Sequence, residues 1–141
     1  MEEPLTEELL NELLSAPDPT TYLSEHHTQT RNLAHYLGEL LEERGLRRSE
    51  VIRAAQLDST YGYQLFTGSR SNPSRDKVLQ LAFAMHLSLR ETDRLLQAAG
   101  SSKLYCKDRR DAIVIFCLDR NTSLEELNET LYTLGEHALS E

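Results

Sequence analysis

Leu57 to Arg75 reads LDSTYGYQLFTGSRSNPSR, and this stretch decides the fold. Asp58 is placed to cap a helix, because its carboxylate can accept a hydrogen bond from an unpaired amide of the first turn. From Ser59 to Phe66 the side chains are small, hydroxylic, amide or aromatic, and only Leu65 and Phe66 are plain core residues. Gly68 suits a helix end. Gly-Ser-Arg-Ser-Asn-Pro is a loop signal, with Pro73 and Ser74 opening the next helix. A short helix over 58–67 with a polar and aromatic outer face suits a recognition surface better than a core. A tight turn between two packing helices is the plainer alternative.

The flanking segments read as helices too. Upstream, Leu33, Leu37, Leu40 and Leu41 share one face, with Glu39, Glu42, Glu43 and Arg44 opposite and Gly45 at the end. Ser49 to Ala55 makes a second helix, with Val51, Ile52 and Ala55 inward. Downstream, Ser74 to His86 is predicted to be buried through Val78, Leu79, Leu81, Ala82 and Met85. Ser88-Leu-Arg-Glu91 is a capping box. It opens a fifth helix with Leu89, Leu95 and Leu96 inside and Gly100 closing it. Short helices without a strand signal predict a compact all-α domain over residues 31–100.

Two arms flank this domain. Residues 1–30 form an acidic N-terminal helical arm. Its helix runs near Glu7 to Ser15, with Thr6 as cap, Leu5 and Leu10 as a hydrophobic staple, and a weaker helical turn around Tyr22 to His27. Residues 101–141 form a C-terminal helical extension. Asp108 to Asp119 reads as a helix, although the β-rich Ile113-Val-Ile-Phe116 keeps a strand open. Ser123-Leu-Glu-Glu126 is a second capping box, leading a helix with Leu124, Leu127, Leu131 and Leu134 on one face and Gly135 at its end. A leucine face must be covered, either by its own domain or by a homodimer or protein partner.

The chain of 141 residues has a net charge of −8, unevenly spread. Residues 1–30 hold seven acidic groups and no Lys or Arg; residues 31–110 hold 14 basic against 9 acidic groups; residues 111–141 hold one basic against seven acidic. A positive middle between negative ends suits a DNA-contacting module with acidic accessory segments. No apolar run approaches membrane-spanning length, and the acidic N-terminus is not a secretory signal. Cys106 and Cys117 have neither zinc nor redox spacing and read as reduced, buried thiols of a cytoplasmic protein. His26, His27, His35, His86 and His137 form no ligand pattern, so neither metal nor cofactor is expected. No phosphate-cradling loop and no Ser–His–Asp or Cys–His set stands at recognisable spacing, so the chain is not read as an enzyme.

The stretch GLRRSEVIRAAQLDSTYGYQLFTGSRSNPSRDKVLQLAFAMHLSLRETDRLL resembles the XRE family of helix-turn-helix proteins, the fold of Cro and the lambda repressor. The matching features are the Glu-Glu-Arg-Gly-Leu helix end, the loop Gly68 to Pro73, the Lys77-Val-Leu-Gln-Leu-Ala helix and Leu87-Ser-Leu-Arg-Glu91. The resemblance covers roughly residues 33–96. The family usually carries a polar residue such as Gln early in helix two, Ala on its inner face, Gly in the turn and a bulky apolar residue inside helix three. Here those positions hold Arg48, Ile52, Gln56 and Gly62. A left-handed non-glycine residue in the turn costs on the order of 1 kcal/mol, and Gly62 weakens its helix by roughly the same amount. The gap at Gly62 would let Tyr61 or Tyr63 pack across it.

The resemblance implies a five-helix lambda-repressor-like core and transcription regulation, repressor-like, by a dimer on double-stranded DNA. Helix 58–67 then lies in the major groove. Gln64 could pair with adenine through both amide groups. Thr60, Tyr61 and Tyr63 could reach bases or phosphates, and Ser59 sits where the first amides meet the DNA backbone. Arg70 and Arg75 are the expected phosphate clamps, with Asn72 and Lys77 as helpers. The plainer alternatives are that either tyrosine packs half-buried and that Arg75 and Asp76 pair with other side chains. The competing function is a protein-interaction adaptor on the same scaffold that does not bind DNA, working through the acidic N-terminal arm or the C-terminal leucine face.

Overall fold

The structure, a computed structural model, describes residues 6–20 and 32–140. The chain divides into a unit of residues 1–30 and a unit of residues 31–141. In the first, α1 spans Thr6–Ser15. Leu5 of the expected staple and the turn around Tyr22 to His27 lie outside the described residues.

The second unit is built from α2 (Leu33–Arg44), α3 (Arg48–Ala54), α4 (Ser59–Thr67), α5 (Arg75–Ala84), α6 (Leu89–Ala98), α7 (Arg109–Asp119) and α8 (Leu124–Thr133). Every described element of the chain is a helix, as the periodicity predicts. The β-rich run 113–116 lies within α7. Asp108 accepts a hydrogen bond from the Asp111 amide at 2.9 Å and so caps the start of that helix. No described helix is long and apolar enough to cross a membrane.

The helix starts follow local chemistry. Asp58, Ser74, Ser88 and Ser123 each accept a hydrogen bond from the third amide of the helix they open. At Ser88 the box is reciprocal, and Glu91 also takes the Arg44 guanidinium from the end of α2. Burial pushes the Glu91 carboxyl up, but the Ser88 amide and Arg44 outweigh it and leave the group below its ordinary value. At Ser123 only the serine half of the expected box forms.

α4 packs on α2 and α3; α5 touches α3, α6 and α8; and α7 joins α6 to α8. One continuous core results. It runs from Leu33, Leu37 and Leu40 through Leu65, Leu79 and Leu95 to Val114, Leu127 and Leu131. The leucine face of α8 is therefore covered by its own unit. Cys117 is buried as expected but Cys106 is exposed, and two expected core positions are also different. Leu89 stands in the first turn of α6 and is 40% exposed, and Leu134 lies past the end of α8 and is 45% exposed.

The connection from α3 to α4 is the part of the fold that positions the site. Gln56 adopts the left-handed conformation there at φ 60°, where glycine would be unstrained. Two tethers converge on this turn from distant sequence. The buried Gln80 amide donates to the Ala55 carbonyl at 2.8 Å. The Ser140 hydroxyl donates to Gln56 Oε1 at 2.7 Å, and Asn128 Nδ2 donates in turn to Ser140 Oγ at 2.9 Å. Ser140 thus lies against the turn. Gln80→Leu should lower the unfolding free energy by about 1–3 kcal/mol, because the carbonyl loses its buried donor. Urea titration checks this, and unchanged stability would show that the bond does not hold the turn.

Candidate nucleic-acid interface

α4 is short, and its sequence divides it into two faces. Leu65 and Gly62 are buried against the body, while Ser59, Thr60 and Tyr63 are exposed. Gly62 is buried because α3 and α4 approach closely at this point. A Cβ on it would lie 2.6 Å from Ile52 Cγ2 and 2.8 Å from Ile52 Cγ1. Neither tyrosine packs across the gap at Gly62: the Ile52 side chain fills it. Ile52 and Gly62 therefore exchange the small and large side chains that the family resemblance leads one to expect at these two positions.

The outer face carries aromatic rings flanked by cations. The Arg48 guanidinium lies over the Tyr63 ring at 4.6 Å. The Tyr61 ring meets Arg70 at 5.5 Å and Lys77 Nζ at 5.0 Å. Cations at these distances are held by the negative faces of the rings. Burial pushes the Tyr61 phenol above its ordinary value and outweighs the Arg70 charge, which pulls it down. Each phenol hydroxyl can both donate and accept a hydrogen bond. Among the described residues, Arg48, Arg70 and Lys77 form no ion pair.

The loop after α4 folds back onto Gln64. Its carbonyl accepts from the Gly68 and Arg70 amides, each at 3.1 Å, and Arg70 Nε donates to Gln64 Oε1 at 2.6 Å. Thr67 and Ser69 share a hydroxyl–hydroxyl bond of 2.9 Å beside them. Asn72 is exposed at the loop tip, and Pro73 is buried.

Arg75 does not belong to this face. Its terminal nitrogens donate to both carboxylate oxygens of Asp111 at 2.7 and 2.8 Å, and its other bonds go to the carbonyls of Ser102 and Lys103. A guanidinium so engaged offers little to a phosphate, so Arg75 leaves the set of expected clamps. The neighbouring residues make the matching pair: Arg110 donates to both oxygens of Asp76 at 2.7 and 3.0 Å. The dipeptides Arg75-Asp76 and Arg110-Asp111 thus lock the starts of α5 and α7 together. Arg110 also donates to the His137 and Ala138 carbonyls, and Arg109 to that of Leu134.

Of the expected contact residues, Ser59, Thr60, Tyr61, Tyr63, Gln64, Arg70 and Lys77 come together on or beside α4. Sequence reasoning missed Arg48. It stands at the position where the resembled family carries a polar residue early in helix two, and that signal was available. The body also holds an open groove of about 470 Å³ lined by Leu89, Ala112, Ile115, Phe116 and Arg120. It lies between the start of α6 and α7, with Phe116 53% exposed and Arg120 stacked on its ring at 3.8 Å. No protein-family profile, curated protein or solved structure matches the chain.

Proposed function

We propose that this chain is a cytoplasmic, sequence-specific DNA-binding regulator of the XRE type. In this reading α2 to α6 are its lambda-repressor-like core, and α4 enters the major groove of double-stranded DNA. The observation that carries the reading is the outer face of α4. Tyr61, Tyr63 and Gln64 are flanked there by Arg48, Arg70 and Lys77, whose charges are unpaired among the described residues. Arg75 and Arg110, by contrast, are neutralised inside the fold. Hydroxyl and amide groups on α4, with guanidinium groups from α3 and from the loop after α4, match the acceptors of a groove lined by phosphates. The net charge of −8 does not oppose this, since the acidic groups concentrate in residues 1–30 and 111–141.

Salt dependence tests the proposal. Affinity for duplex DNA should fall log-linearly with salt, because phosphate neutralisation releases counterions. Arg48→Ala and Lys77→Ala should each reduce the slope by about 1, with little change in sequence preference. Binding that does not depend on salt would sink the DNA reading. A second reading, a protein-interaction adaptor, is favoured by the groove at Leu89, Ile115 and Phe116, where apolar surface lies open.

A further inference from the structure

Arg70 and Gln64 determine together what the middle of α4 can offer a base. Arginine carries donors and no acceptor, so the Gln64 atom that meets Arg70 Nε at 2.6 Å is the carbonyl oxygen. The amide nitrogen of Gln64 then faces away, with both hydrogens free for another partner. Arg70 itself is fixed at two points on one residue, since its backbone amide also donates to the Gln64 carbonyl at 3.1 Å. The Tyr61 ring supports the guanidinium from one side. With Nε engaged, the two terminal nitrogens of Arg70 remain as an end-on pair of donors. With one lone pair of Gln64 Oε1 taken by Arg70, the Gln64–Arg70 unit presents mostly donors.

A glutamine free at both ends matches adenine, which offers an acceptor at N7 and a donor at N6. A surface of mostly donors sets hydrogens against the N6 amino group of adenine. Guanine presents two acceptors, N7 and O6, on the same edge. We infer that the Gln64–Arg70 unit makes α4 a guanine reader, with Arg70 acting on the base and Gln64 as both its positioning residue and a second donor. This rests on the DNA-reading role proposed above, and it replaces the adenine contact expected from Gln64 by itself.

The test is selection from random duplex DNA by wild-type protein, Arg70→Ala and Arg70→Lys, with circular dichroism confirming that each variant is folded. Fixed duplexes carrying guanine, 7-deazaguanine or adenine at the responsive position then give affinities. The wild type should require guanine there and lose about tenfold or more with either replacement. Arg70→Ala frees Gln64 Oε1, so preference at that one position should move from guanine toward adenine while the rest of the motif is unchanged. Arg70→Lys retains a donor to Gln64 and should keep guanine. A wild-type motif with adenine at that position would overturn the inference, as would an Arg70→Ala motif identical to the wild type. In both cases DNA reading itself would stand. Retention of no DNA by the wild type at low salt would overturn the DNA-binding role and this inference with it.

Discussion

Asp111→Ala should lower the unfolding free energy by about 2–4 kcal/mol in urea titration, far more than an ordinary surface substitution. Asp111 is 6% exposed and accepts three hydrogen bonds, two from Arg75 and one from the Tyr105 amide at 3.0 Å. Removing it leaves the Arg75 guanidinium partly buried without its counter-charge. The estimate lies below that for a fully buried pair because the Arg75 side chain keeps 27% of its exposure. Replacing both partners, as Arg75→Met with Asp111→Leu, should restore much of the loss, since no charge is then left unpaired. An Asp111→Ala protein as stable as the wild type would show that the clamp between α5 and α7 contributes nothing.

The same carboxylate sets a pH dependence. Burial pushes Asp111 up, but the Arg75 hydrogen bonds, the Tyr105 amide and the charges of Arg75 and Arg110 outweigh it, so the folded group titrates below its ordinary value. A carboxylate depressed in the folded state contributes stability that is complete above its unfolded value, near pH 4, and is lost as pH falls through the folded value. Glu91 is shifted in the same direction. The wild type should therefore lose stability on acidification below about pH 4, and Asp111→Asn should show a shallower decline over that range. Parallel curves for the two proteins would contradict the assignment.

Gly62→Val should be the second severe change, lowering stability by about 3 kcal/mol. Valine would regain part of the helix propensity that glycine lacks. That gain is smaller than the cost of placing a Cβ 2.6 Å from Ile52 Cγ2, a branch atom that cannot swing aside as a chain end could. Ile52→Ala by itself should cost about 2–4 kcal/mol through the cavity it leaves. The decisive variant is the double one. Ile52→Ala with Gly62→Val exchanges the two volumes across the same contact and should come back to within about 1 kcal/mol of the wild type. Additive losses in this double-mutant cycle would mean that the two residues do not share one space.

Much of the fold was legible because its causes are local. Helix starts depend on a side chain reaching an amide three residues on, so Asp58, Ser74, Ser88 and Ser123 could be named as starts from their neighbours. Burial of Leu37, Val78 and Leu127 follows from helical spacing. The same spacing misplaced Leu89 and Leu134, since periodicity does not say where a neighbouring helix stops covering a face. Within the candidate interface, α4 and its exposed Ser59, Thr60 and Tyr63 could be read from composition. The identity of its cations could not be read fully. Arg70 follows Tyr61 in the adjoining loop, whereas Arg48 and Lys77 reach the rings only because the fold brings the helices on either side beside α4.

By itself, then, the sequence determined a mainly helical chain with a strand left open at 113–116, the positions of its caps and turns, the apolar side of most helices and which short helix has a polar outer face. Tertiary structure alone decided which charges are free. Arg70 and Arg75 are both arginines beside one loop, yet one supports Gln64 and the other is neutralised by Asp111 from 36 positions away. It also decided that Gln80 and Ser140 brace the turn before α4, and that Ile52 fills the space over Gly62. The physical reason is range. Capping and periodicity act within a turn or two of helix, but the partner of a buried charge or the filler of a gap is whatever the folded chain brings there.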